Sequence, residues 1–249
     1  MPKKVDCIIH LAANARVFDL VEKPSLARDN FEMIFNMLNF ARKNSIPRFI
    51  FSSSREIYGN SNKIKHKEVK VLLSNCESPY SATKIGGEAL IQSYQHCYGI
   101  DFLIFRLSNI YGMYDDGNRV VPLFIKKSLK DEDLQIYGHD KMLDFTHIDD
   151  VVKGIILALR NFDKIKNDVY NLGTGHGISI VHLAKIIRDF TGSTSKVLIT
   201  KNRTGEVVKY ITRIKKAKSH FGFKPQIDVK KGIVMSINWY ERYYGSLFN

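Results

Sequence analysis

Along this chain, nearly continuous apolar runs alternate with stretches whose apolar residues recur at helical spacing. The runs VDCIIHLAA (5–13), RFIFSSS (48–54) and DFLIFRLSNIYG (101–112) have the unbroken hydrophobicity of strands covered on both faces. Between the first two, SLARDNFEMIFNMLNFARKN sets Phe31, Ile34, Phe35, Leu38 and Ala41 on one helical stripe, with Pro24 and Ser25 as start signals. A second helix is expected from about Ser81 to Tyr98, where Gly99 supplies a C-terminal stop. Helices around VVPLFIKKSL, DDVVKGIILALR and ISIVHLAKIIRDFTG then alternate with strands LQIYG and DVYNLGTG. From about Val197 the segments shorten, with helices expected near 213–221 and 228–242, and 60–78 reads as a lysine-rich loop without periodicity. This alternation predicts an α/β fold with a mainly parallel sheet.

Composition narrows the classes. With 249 residues the chain can bury one large core, or one and a half smaller ones. It is 44% hydrophobic and 25% charged, and no apolar run approaches the roughly 20 residues that span a bilayer. No membrane span is expected, and the basic start MPKKVDCIIHLAA reads as a strand of a cytoplasmic protein, not as a signal peptide. Cys7, Cys76 and Cys97 are odd in number and scattered, as reduced thiols are, and the eight histidines show no metal-ligand spacing, so no metal is expected. The net charge of +13 is uneven: between Lys196 and Lys231 there are eleven Lys or Arg against two acids, Glu206 and Asp228. Such a segment suits an anionic metabolite, a solvated surface or, with no accompanying motif, nucleic acid, the least favoured of the three.

Reactive groups of an open parallel sheet gather at the carboxyl ends of its strands. FSSSREIYG (51–59) closes a strand with three serines, and PYSATK then places Tyr80 four residues before Lys84 on one helix face. An ammonium beside a phenol favours the phenolate, which makes Tyr80 a candidate base, with a serine hydroxyl holding the substrate oxygen. The other candidate is the glycine-rich turn NLGTGHGIS (171–179). Ile178 stands where a dinucleotide fingerprint needs its third glycine, and KVLIT leads into Lys201 and Asn202 instead of a ribose-binding acid. That turn is read as structural.

The motifs HLAA (10–13), FSSSREIYG (51–59), YSATK (80–84), FRLSNIYG (105–112), LDFTHIDDV (143–151), YNLGTG (170–175) and RTGEV (203–207) occur in that order. In this the chain resembles the extended short-chain dehydrogenase/reductase superfamily, and within it the NAD-dependent nucleotide-sugar epimerases and dehydratases. The resemblance implies a Rossmann-like NAD-binding domain over 1–112. It also implies a smaller C-terminal α/β substrate-binding region over 113–249, of which about 143–175 returns to the first domain. Tyr80 would be the catalytic base, Lys84 would lower its pKa and hold the nicotinamide ribose, and Ser54 would bind the sugar oxygen. Leu11, Ala12, Ala13, Asn30 and Ser52, with Leu107, Asn109 and Ile110 of the LSNI turn, would line NAD, NADP being the alternative. Asn109, Arg119 and Arg203 fall where relatives contact the nucleotide diphosphate, Val120 and Lys141 are further substrate-binding candidates, and Tyr137 falls where relatives often stack near the base. The implied reaction is epimerisation of a nucleotide-diphosphate sugar through a keto-sugar, by a homodimer.

Three departures from the pattern keep alternatives open. The chain starts at what resembles the family's fourth strand, so about 60 residues carrying a Gly-rich βαβ start would be absent. A truncated gene, a misplaced start or a separately encoded N-terminal half would each explain this, and so would an inactive remnant acting as a binding protein. Leu143 stands where many relatives place a phosphate-binding arginine, leaving Lys141, Arg119 or Arg203 to compensate. Glu56 occupies a place where 4,6-dehydratases and decarboxylases hold an acid, with Arg55 beside it; its alternative is a surface salt bridge.

Overall fold

The three apolar runs become neighbouring parallel strands. The computed structural model describes residues 4–61, 63–115 and 117–248. β1 (Ile8–His10) is followed by α1 (Val17–Glu22), α2 (Ser25–Lys43), β2 (Arg48–Ser54), a 3₁₀ turn (Arg55–Tyr58), β3 (Lys65–His66), α3 (Pro79–Tyr98), β4 (Asp101–Leu107) and β5 (Asn109–Tyr111). The chain continues through α4 (Val120–Ser128), β6 (Leu134–Tyr137), β7 (Met142–His147), α5 (Ile148–Arg160), α6 (Phe162–Ile165), β8 (Asp168–Leu172) and β9 (Gly177–Ser179). It ends with α7 (Ile180–Thr191), β10 (Val197–Thr200), β11 (Lys209–Thr212), α8 (Lys215–Phe221) and α9 (Val229–Phe248).

The first sheet runs β1-β2-β4-β8, all parallel. The middles of its central strands, residues 49–51 and 102–105, are unbroken apolar runs because helices cover both faces. Phe49, Phe51, Phe102 and Ile104 point to one face, against Ile34, Leu38 and Ala41 of α2 and Ile91 of α3. The intervening Ile50, Leu103 and Phe105 meet Val151 and Ala158 of α5, Phe162 of α6, and Ala217 and Phe221 of α8. A second lobe holds the sheet β3-β11-β7-β5, with β9 antiparallel on β7, and the parallel pair β6-β10.

The expected single strand over 101–112 is two. At Ser108 the chain leaves one sheet for the other: its amide donates to Leu172 O at 3.0 Å, its hydroxyl meets Thr146 at 2.6 Å, and Asn109 then pairs with Phe145. A continuous apolar run does not record a change of partner, so sequence pattern missed the switch. The lysine-rich loop also contains β3, whose partner β11 lies near the other end of the chain. The segment 148–172 packs on the first sheet, as does α8, whereas β7 belongs to the second lobe.

One buried polar cluster ties the strand ends together. Arg106 of β4 forms a two-pronged ion pair with Glu88 of α3, at 3.0 and 2.7 Å, and both side chains are almost wholly buried. Ser53 donates to Glu88 at 2.6 Å, and Arg106 donates to the Tyr58 hydroxyl and to Val69 O. Ser53, the neighbour of Ser54, is thereby fixed from inside the protein.

Candidate functional site

α3 starts where capping chemistry dictates. The Ser78 hydroxyl accepts from the Ser81 amide at 3.2 Å, Pro79 opens the first turn, and Gly99, at φ 69°, closes the helix in the left-handed region. Tyr80 is thus held in the first turn, beside the end of β2. Its phenol is buried, and the nearby Ser54 hydroxyl favours the phenolate, as do Arg55 and Arg119, but burial dominates and pushes its pKa up to about 12. Lys84, one turn on, donates its ammonium to Ser52 O at 2.8 Å and lies 5.7 Å from the Tyr80 ring. The expected depression of the phenol's pKa by Lys84 is therefore absent in this state, because the ammonium is turned to the strand end. Burial also lowers the Lys84 pKa, to about 8.

This lysine costs stability. Its folded-state pKa lies below its ordinary 10.5, so the penalty is fully present below pH 8 and disappears as pH rises from 8 to 10.5. Lys84→Met should raise the chain's stability at pH 7 by up to about 3 kcal/mol, seen as a higher denaturant midpoint. The gain should shrink above pH 8.

Around this pair lies a cavity of about 450 Å³. Its walls include Leu11, Ala13, Ser52, Ser54, Glu56, Leu107, Asn109, Ile110, Arg119, Val120, Tyr137, Lys141 and Arg203 together with Tyr80 and Lys84. Ala12 and Asn30 lie outside those walls. Asn30 instead supports them, accepting from the Asn14 amide at 2.7 Å and donating to Asn14 O and to Thr83 of α3.

Glu56 is in a salt bridge, but a buried one. Its carboxylate meets Arg55 at 2.7 Å, and its second oxygen has no hydrogen-bond partner. Burial, reinforced by Glu206, holds its pKa above the usual carboxylate range despite Arg55. Arg55 in turn donates to Asn109 Oδ1 at 3.1 Å, so Asn109 is engaged with the protein on both sides of its amide, the other being Asp144 O.

The three cations that could replace the arginine missing at Leu143 are not equivalent. Lys141 is paired with Glu206 and Arg119 with Asp115 at 3.0 Å. Arg203 has no carboxylate partner among the described residues; its guanidinium carbon stacks 3.7 Å from the Tyr137 ring centre and 4.7 Å from that of Phe18. Sequence reasoning missed Phe18, which carries no motif and lies on α1, a six-residue helix that the apolar pattern did not predict.

The glycine-rich turn is occupied by the protein's own acid. Asp144 accepts from the amides of Thr174 (2.9 Å), Gly175 (2.8 Å) and Thr212 (3.1 Å) and from the Thr174 hydroxyl. A Cβ at Gly173 would lie 2.1 Å from Thr212 Oγ1. The glycine there serves close packing, and the amides that could cradle a phosphate are already bonded.

The nicotinamide end of a dinucleotide fits these residues. One donor of the Lys84 ammonium is used on Ser52 O, leaving two for ribose hydroxyls, and Leu11, Ala13, Leu107 and Ile110 line the same cavity. Among the described residues no cluster of three or more potential metal ligands occurs, and no helix is long and apolar enough to cross a membrane.

Known proteins share this fold. Over 243 residues the chain is 37% identical to a Methanocaldococcus jannaschii protein provisionally named a UDP-glucose 4-epimerase, covering 95% of this chain and 77% of that one. The UDP-glucose 4-epimerase of Thermotoga maritima, solved with UDP-glucose, superposes with a TM-score of 0.86 at 29% identity, over 95% of this chain and 77% of that one. The dTDP-glucose 4,6-dehydratase of Streptomyces venezuelae, solved with NAD, gives 0.89 at 27% identity, over 97% and 75%. Residues 1–173 match the model of the NAD-dependent epimerase/dehydratase family. A serine-ended strand, a tyrosine and lysine one helical turn apart, and a chain-long match to these enzymes place the protein in the NAD-dependent epimerase/dehydratase family.

Proposed function

We propose that this chain is a cytoplasmic NAD-dependent epimerase of a nucleoside-diphosphate hexose, acting through transient oxidation to a keto-sugar. The observation that carries the reading is the convergence of Ser54, Tyr80 and Lys84 in a cavity also lined by Arg203, a cation with no carboxylate partner among the described residues. The substrates named for the relatives, UDP-glucose and dTDP-glucose, support that class. Ser54 holds the sugar hydroxyl, and Tyr80 accepts its proton. NAD, when bound, would supply the hydride acceptor and donor and a positive ring charge beside the phenol. Lys84 holds the ribose, Asn109 and Val120 line the sugar's side of the cavity, Arg119, Lys141 and Arg203 face the diphosphate, and Tyr137 lies towards the base.

Elimination of water is the second reading, favoured by the raised pKa and unpaired oxygen of Glu56. Against it stands Arg55. A departing hydroxyl needs a proton donor, and a guanidinium does not give up its proton; the Arg55–Glu56 pair therefore favours epimerisation. The expected product from UDP-glucose and NAD is the C4 epimer, of unchanged mass, by nuclear magnetic resonance and mass spectrometry. Loss of one water would select the dehydratase reading. A chain that binds no NAD, alone or with an added N-terminal segment, would favour an inactive binding protein.

Two partners belong to the proposal. A second copy would cover the exposed Phe31 and Phe35 of α2, beside α3, and light scattering should then report a dimer. A further strand would pair with the edge of β1, near exposed Ile9 and Leu11.

A further inference from the structure

The loop that carries Arg203 is anchored to both lobes. On the N-terminal side Asn60 donates to Glu206 O at 3.1 Å and accepts from the Val208 amide at 2.8 Å. Gly205, at φ 80°, sits so close to α1 and to the start of α3 that a Cβ would lie 3.0 Å from Val21 and 3.3 Å from Glu77 O. On the other side Glu206 is paired with Lys141, and Arg203 lies on Tyr137 at the end of β6. The loop therefore crosses the cavity as a strap, and Arg203 is its charged point.

We propose that Phe18 is a positioning residue for the substrate's diphosphate, holding Arg203 flat against Tyr137 from the opposite lobe. A guanidinium between two rings has both faces covered, and its donors lie in the plane between them. Such a cation presents a fixed edge of N–H groups, whereas an arginine stacked on one ring keeps much of its side-chain freedom. All three side chains line the cavity. Lys141 and Arg119 already have carboxylate partners, so of these three cations Arg203 is the one left for an anion among the described residues. Because Phe18 comes from α1 and Tyr137 from β6, the grip exists only with the two lobes apposed. The inference rests on the reading that Arg203 meets the diphosphate.

Calorimetric titration of the full-length chain with UDP, and with uridine as a ligand lacking phosphate, tests it. Affinity for UDP should fall about tenfold in Phe18→Ala and in Phe18→Leu, which keeps bulk without a ring face, and stay within about twofold in Phe18→Trp. Arg203→Ala should lose at least as much, and the double variant Phe18→Ala/Arg203→Ala no more than Arg203→Ala alone. Uridine affinity should be the same in wild type and Phe18→Ala. Wild-type affinity in Phe18→Leu, additive losses in the double variant, or an equal loss for uridine would each overturn the proposal. If Arg203→Ala binds UDP normally, or the wild-type chain does not bind it, the underlying reading of the site fails instead. Unchanged melting temperatures of the variants exclude misfolding as the source of a loss.

Discussion

Turnover of a nucleotide sugar by Tyr80→Phe is expected to fall by about 10³-fold, the scale on which a positioned proton acceptor acts. The ring itself is buried and its contacts survive the substitution, so affinity for UDP should change by less than about threefold. The hydroxyl, by contrast, is the group this reading assigns to take a proton from a substrate hydroxyl held by Ser54. In the chain alone burial holds the phenol's pKa at about 12; the positive ring of bound NAD favours the phenolate, so in wild type the rate should rise with pH from neutrality as the phenol ionises. Steady-state kinetics in the presence of NAD over pH 6–10, with both variants, give the measurement. Full turnover in Tyr80→Phe would remove this residue from the reaction.

The second large effect is on folding. Glu88→Ala leaves Arg106 charged, almost wholly buried and without its carboxylate, and also strips Ser53 of its acceptor. Removing one partner of a buried pair costs about 3–5 kcal/mol. For a chain of this size that corresponds to a melting temperature lower by about 10 °C. The double replacement Glu88→Met/Arg106→Leu removes both charges and should recover much of the loss. Calorimetry on wild type and the two variants decides it; equal losses in the single and double replacements would show that the charges are not the cause.

Sequence pattern made the first sheet legible because β2 and β4 carry unbroken apolar runs, and the stop of α3 was written in Gly99, whereas its start lies two residues before the expected Ser81, at Pro79. Tyr80, Lys84 and Ser54 could be found for the same reason: their spacing follows from one helix and one strand end. What pattern could not carry were relations between distant segments. The change of sheet at Ser108 depends on Leu172 and Thr146, β3 depends on β11, and the loss of Arg203's isolation in solvent depends on Phe18 and Tyr137. The direction of Lys84's ammonium was likewise hidden, since helical spacing sets which side of α3 it leaves but not that Ser52 O receives it.

The chain's repeated crossings between lobes bear on any attempt to exchange substrate preference among relatives. Residues 148–172 and α8 complete the core beneath the first sheet, although they lie in the C-terminal half. A chimera joined once, near residue 112, would replace part of that core together with the recognition surface. A graft that respects the architecture must instead transplant separate pieces, around α4 to β7, β9 to β11, and α9, and leave the intervening segments native.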